Sequence, residues 1–212
     1  MSELIVYDCE QGTSEWFAAR LGIPTASEFA TVLAKGRGGG ESVTRRKYLL
    51  TLAAQRLTGE VVQTWAGNEH TERGHAMEDD ARRLYAFQND ADPQLVGFMR
   101  RGEAGASPDS LVGANGLIEI KSKLPHLHLD VIERDRLPPE HVAQVQGQLW
   151  ISGRDWCDFV SYWPKLPIFI KRVERDEEYI KALAQAVADF NGEVEAIVAK
   201  YDPEYNAMEK AA

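Results

Sequence analysis

Two acids and one amine lie close together in one stretch of this 212-residue chain: Asp109 in Ser107-Pro108-Asp109, and Glu119 and Lys121 in Ile118-Glu119-Ile120-Lys121. Both stretches read as strands, over 105–113 and 117–122, joined by Ala114-Asn115-Gly116 as a hairpin turn. Side chains alternate along a strand, so Glu119 and Lys121 share one face and Ile118 and Ile120 the other. With a three-residue loop at 114–116, Gly113 faces Leu117 and Asp109 faces Lys121, on the same side of the sheet. A two-residue turn would send Asp109 to the opposite side. Two carboxylates are hard oxygen ligands of the kind that hold Mg²⁺, with Mn²⁺ as a substitute. Such an ion activates water and neutralises charge on a phosphodiester, and an adjacent lysine can orient that water or help deprotonate it. An ordinary surface hairpin with a Lys-Glu ion pair has the same residues, so D followed by ExK is a weak pattern alone.

A further carboxylate comes from a helix expected over 69–88. Met77, Ala81, Leu84 and Tyr85 form its apolar arc; at about 100° per residue Glu78 falls at the edge beside Tyr85, while Asp79 faces away. Gln144 and Gln146 sit on another helix, opened by Pro138 and Pro139 and stopped by Gly153. There Val142, Val145 and Leu149 place Gln146 nearer the apolar arc than Gln144.

The elements that must carry these groups are short. Helices are expected over 14–21, 26–34, 42–58 and 176–201, with strands over 95–100, 156–163 and 168–174. The last helix spaces Ile180, Leu183, Ala184, Val187, Phe190, Val194, Ile197 and Val198 as one apolar stripe. The stretch 124–137 reads as a long polar loop. No repeat or composition break divides the chain, so one domain over 1–212 is expected, of mixed α/β class.

Composition narrows the chemistry. No apolar run approaches the roughly 18 residues of a membrane span, and the start lacks a basic leader, which points to a soluble, cytoplasmic protein. Cys9 and Cys157 alone cannot build a thiolate metal cage or a disulfide framework. The formal charge of -9 argues globally against a polyanion partner, yet charge is segregated. Residues 35–56 hold six basic side chains and one acidic, whereas 174–212 hold ten acidic and four basic. That suggests a basic face for a polyanion and an acidic face elsewhere.

Taken together, helix with Glu78, Ser107-Pro108-Asp109, Glu119-Ile120-Lys121 and Ala143-Gln144-Val145-Gln146 resemble the PD-(D/E)xK nucleases. The likeness is closest to the lambda exonuclease (YqaJ-type) phage recombination nucleases and runs from about Glu15 to Tyr201. It also includes Arg20-Leu21-Gly22, Thr25-Ala26-Ser27-Glu28, Trp150 and Val173-Glu174-Arg175-Asp176. The resemblance implies a restriction-endonuclease-like core, a central mixed sheet flanked by helices. It implies a Mg²⁺-dependent enzyme that degrades linear duplex DNA from a 5′ end to mononucleotides and leaves a 3′ single strand. A ring-shaped homotrimer working beside a single-strand annealing protein, encoded by a phage or prophage, is implied in the same way.

By matching position, Asp109, Glu119, Glu78 and the carbonyl of Ile120 would form the metal shell, Lys121 would act on the water, and Gln144 would match the family's helix glutamine. Arg20, Ser27, Arg37 and Ser107 match the positions that grip the 5′-phosphate, where a guanidinium pairs bidentately and hydroxyls add donors. Outside that likeness, Arg20 reads as a surface ion pair and Ser27 as a helix cap. The polar run Glu69-His70-Thr71-Glu72-Arg73 replaces an apolar wedge, and Leu127 stands where the family can offer a basic group, with His126 and His128 as substitutes. The rival readings are a site- or structure-specific endonuclease on the same fold and a non-catalytic DNA-end-binding protein.

Overall fold

The computed structural model describes residues 2–61 and 69–202, without the side chains of Arg37 and residues 69–76. Strand β1 (Leu4–Tyr7) opens the chain and was not legible in the pattern; it pairs antiparallel with β2 (Phe98–Arg101), which pairs with β3 (Ala104–Ala106). A second sheet has the order β4 (Ser110–Val112), β5 (Gly116–Lys121), β6 (Trp156–Ser161), β7 (Phe169–Glu174). Its β5 and β6 run parallel between antiparallel neighbours, so this is the mixed sheet. The single strand expected over 105–113 is therefore two, in two sheets. Pro108 lacks the N–H a central strand must donate, and the chain crosses between sheets at Ser107-Pro108-Asp109.

Helices α1 (Ser14–Ala19) and α2 (Phe29–Val32) are shorter than expected, with a 3₁₀ turn at Ala26–Glu28 between them. Then follow α3 (Val43–Thr58), α4 (Glu69–Asn89), α5 (Pro125–Arg134), α6 (Pro139–Ser152) and α7 (Glu177–Tyr201). Helix α5 corrects the loop expected over 124–137. Pro125 sits in its first turn, and His128 and Val131, three residues apart, are its buried side chains. A histidine in the buried stripe and the exposed Leu127 and Leu129 outside it hid the period.

Three apolar clusters fix the layers. Ile118 and Ile120 of β5 pack with Ala81 and Tyr85 of α4 on one face of the mixed sheet. Leu117, on the other face, packs with Val145 and Leu149 of α6 and Val131 of α5. Beyond α6 lies the third cluster, built from α2, α3, α7 and the small sheet, with Phe29, Leu183, Val187, Phe190 and Val194 at its centre. Helix α6 is thus buried on both sides. Gly147 admits the Phe29 ring so closely that a Cβ there would lie 2.4 Å from it. Among the described residues no helix is long and apolar enough to cross a membrane.

Packing also corrects the charge expectation. The basic helix α3 lies against the acidic helix α7, where Arg45 pairs with Glu193 at 2.6 Å and Arg56 pairs with Glu195. Asn191 accepts from Arg56 as well. Two of the six basic side chains are therefore spent within the fold rather than on a face for a polyanion.

Candidate active site

The hairpin turn is Gly113-Ala114-Asn115, with Gly113 at φ +51, a backbone region that glycine enters without strain. Ser110 pairs with Ile118 and Val112 with Gly116, two residues out of the expected register. Asp109 therefore falls beside Glu119, not opposite Lys121. An even shift preserves the face, so the three groups still converge. Ile120 N–H donates to Asp109 Oδ2, which ties the carboxylate to the catalytic strand.

Glu119 is 1% exposed, and both of its oxygens are occupied. Lys121 Nζ lies 2.6 Å from Oε1, and Gln144 Nε2 donates to that same oxygen at 2.6 Å. Gln148 Nε2 donates to Oε2 at 2.5 Å. Gln144, not Gln146, thus faces the site. Gln146 joins α7 to β7, accepting from Asp176 N–H and donating to the Glu174 carbonyl. Periodicity could not separate the two because α6 is buried all round. Gln148 went unnoticed; its signal was a second glutamine one helical turn after Gln144.

Glu78 is half-buried and pairs with Arg82, whose guanidinium also reaches Asp79 and donates to Ser110 Oγ at 2.9 Å. Arg82 thereby links the α4 carboxylate to the residue following Asp109. Burial, then Glu119 and Glu78, push the Asp109 carboxyl well above the ordinary carboxylate range, against opposing help from Lys121 and Ile120 N–H. For Lys121, burial disfavours the ammonium, but Glu119, Asp109 and Glu78 outweigh it and leave its pKa raised. Arg82 offsets Glu78, which leaves the Asp109 and Glu119 carboxylates against the single Lys121 ammonium, a pair short of positive charge.

That donor set, hard oxygens around a charge deficit, suits a divalent cation such as Mg²⁺ or Mn²⁺. Asp109, Glu119, Glu78 and the Ile120 carbonyl are the groups that could hold it. Among the described residues no three ligating side chains stand ready as a closed cage, and Lys121 and the two glutamines occupy the Glu119 oxygens.

The strain has a measurable consequence. A carboxyl whose folded pKa is raised stabilises the fold below its unfolded pKa, and that contribution is lost as pH rises through the folded value. Asp109→Asn should therefore melt higher than the parent in EDTA at pH 8, with the gain shrinking as pH falls toward about 4. A melting difference that ignores pH would contradict this account of the cluster.

The phosphate-pocket residues meet only in part. Arg20 caps the end of α1, its guanidinium 3.7 Å over the Trp16 ring and 3.3 Å from Thr25 Oγ1. Thr25 Oγ1 is 3.1 Å from Ser27 Oγ, and Trp16 Nε1 donates to Ser107 Oγ at 2.8 Å. Arg20, Ser27 and Ser107 are thus joined through Trp16 and Thr25. Burial draws the Arg20 pKa down to about 10, and among the described residues no carboxylate pairs with it. Arg20 thus makes no ion pair among the described residues, and Ser27 is not a cap but lies inside the 3₁₀ turn. Arg37 lies in the turn Arg37–Gly39, but its side chain is outside those described, as are the side chains of 69–73. His128 is fully buried between Ser161 Oγ at 2.8 Å and the Pro167 carbonyl at 2.9 Å, so it cannot substitute for a basic surface group; His126 is exposed.

The model of the YqaJ-like viral recombinase domain matches residues 15–155. The chain belongs to that family. This YqaJ-like chain is 38% identical to an alkaline exonuclease, LHK-Exo, from Laribacter hongkongensis, over 94% of its own length and 98% of that chain, with a TM-score of 0.80. LHK-Exo in complex with dAMP matches at 37% identity over 94% and 100% of the two chains, with a TM-score of 0.82. A phage related exonuclease from Haemophilus somnus 129PT shares the fold at 15% identity, 84% and 96% coverage, and a TM-score of 0.63. No curated protein matches. The fold is that of the lambda-exonuclease-type PD-(D/E)xK enzymes.

Proposed function

We propose that this chain is a Mg²⁺-dependent exonuclease that degrades one strand of linear duplex DNA from its 5′ end to mononucleotides, leaving a 3′ single strand for recombination by annealing. The observation that carries this reading is the cluster of Asp109, Glu119 and Lys121, with the Glu78 charge felt by both Asp109 and Lys121, in a chain akin to an alkaline exonuclease along nearly its whole length. Asp109, Glu119, Glu78 and the Ile120 carbonyl would hold the cation. When bound, it lowers the pKa of water and neutralises charge developing on the phosphodiester.

The chain's own groups do the rest. Lys121 Nζ, an ammonium while the carboxylates around it are uncompensated, orients the attacking water by donation. It can take the water's proton only as those charges are neutralised. Gln144 and the strand β5 keep Glu119 aimed. Arg20, Ser27, Ser107 and Arg37 grip the terminal 5′-phosphate and so hold the next phosphodiester at the carboxylates. Water forms a bond to that phosphorus while the bond to the terminal nucleotide's O3′ breaks. The shortened strand thus ends again in a 5′-phosphate, and each cycle presents the same handle. One nuclease domain over 1–212, a closed homotrimer ring that keeps hold of the product strand, a single-strand annealing partner and a phage or prophage origin in the bacterial cytoplasm complete the reading; sedimentation measures the ring.

The test is a time course on linear duplex and on covalently closed plasmid, each with Mg²⁺ or EDTA. Linear duplex should yield acid-soluble mononucleotides with Mg²⁺ alone, and closed plasmid should survive. Cutting of the closed circle would favour the endonuclease, and binding without turnover the end-binding protein.

A further inference from the structure

We propose that Gln148 is a positioning residue for Glu119, a role that rests on Glu119 being a metal ligand. Gln148 is 1% exposed on α6, one turn past Gln144, with Val145 and Leu149 of its own helix in the apolar cluster beneath. Its Nε2 donates to Glu119 Oε2 at 2.5 Å. Its Oε1 is buried with no hydrogen-bond partner among the described residues, a costly arrangement for an acceptor. Turning the amide over would not relieve this, because Oε1 would then face a carboxylate oxygen, acceptor against acceptor. The orientation of the amide is thus dictated by Glu119 at the expense of its own carbonyl.

The division of donors explains why two glutamines are used. Oε1 of Glu119 receives Lys121 and Gln144, whereas Oε2 receives Gln148. A carboxylate held at one oxygen can still swing about that contact; held at both, its plane is set. Amide donors are also neutral. They orient the carboxylate without cancelling the charge that a cation needs, while Lys121 cancels it. When Lys121 engages water in place of Glu119, Gln144 and Gln148 are the groups that keep both oxygens aimed. Groups of this kind, once removed, typically cost 10- to 100-fold in metal affinity or activity.

The experiment is Mn²⁺ titration of metal-free protein without DNA, read by electron paramagnetic resonance, on the parent, Gln148→Met, Gln148→Asn and Glu119→Gln. Thermal melts in EDTA accompany it. Methionine fills the space without a donor, and asparagine keeps an amide on a stem too short to reach, so the second variant serves if the first does not fold. Both should bind Mn²⁺ about 10- to 100-fold more weakly. Raised Mn²⁺ should then recover most of kcat. Affinity within twofold of the parent, even with a lower melting temperature, reduces Gln148 to packing and overturns the proposal. Should Glu119→Gln bind Mn²⁺ like the parent, the metal reading itself fails; should Glu119→Gln alone lose it, only the role of Gln148 does.

Discussion

Replacing Lys121 by alanine is expected to slow DNA hydrolysis by about 10²- to 10⁴-fold, the usual worth of a positioned proton-transfer group, while duplex binding persists. The two effects separate because Lys121 touches the water and the carboxylates hold the metal. Removing the ammonium takes one partner from Glu119 Oε1, but Gln144 remains on that oxygen and Gln148 on the other. Mn²⁺ affinity should therefore hold or rise, since a competing cation has gone. Asp109→Ala should stop turnover by the other route, through lost metal binding. Near-parental digestion of linear duplex by Lys121→Ala would remove the site assignment.

Digestion of 5′-phosphorylated ends should outpace that of 5′-hydroxyl ends by roughly 10- to 100-fold. A hydrogen bond to a charged group contributes about 1.5–3 kcal/mol, and each 1.4 kcal/mol is a factor of ten. Arg20 is the group to remove. Its guanidinium is stacked on Trp16, partly desolvated and without a carboxylate partner among the described residues, so an arriving phosphate finds a cation it need not take from another acid. Arg20→Ala should erase most of the preference by slowing the phosphorylated substrate alone. Arg20→Lys should restore part of it, because an ammonium keeps the charge but not the bidentate fork. Equal rates on both ends in the parent, or full preference in Arg20→Ala, would refute the pocket and leave the metal site untouched.

Local chemistry made much of this legible in the sequence. Strand alternation puts Glu119 and Lys121 on one face whatever surrounds them, and helical spacing puts Glu78 at the boundary beside Tyr85 and Asp79 outside. Ser42 and Gly59 bound α3, and the stripe from Ile180 to Val194 marks the buried face of α7, because capping and amphipathicity are properties of the segment itself. Tertiary structure alone decided the rest. The hairpin register moved by two residues because the turn residues could be counted from either end, and only cross-strand pairing chooses. Arg45 and Arg56 were basic in sequence and neutralised in space, because α7 folds onto α3 from more than a hundred residues away. Which glutamine meets Glu119 could not follow from period, since a helix buried on both sides has no polar face to compare. The same burial placed Gln148 beneath the carboxylate, a contact made by two segments that neither one encodes.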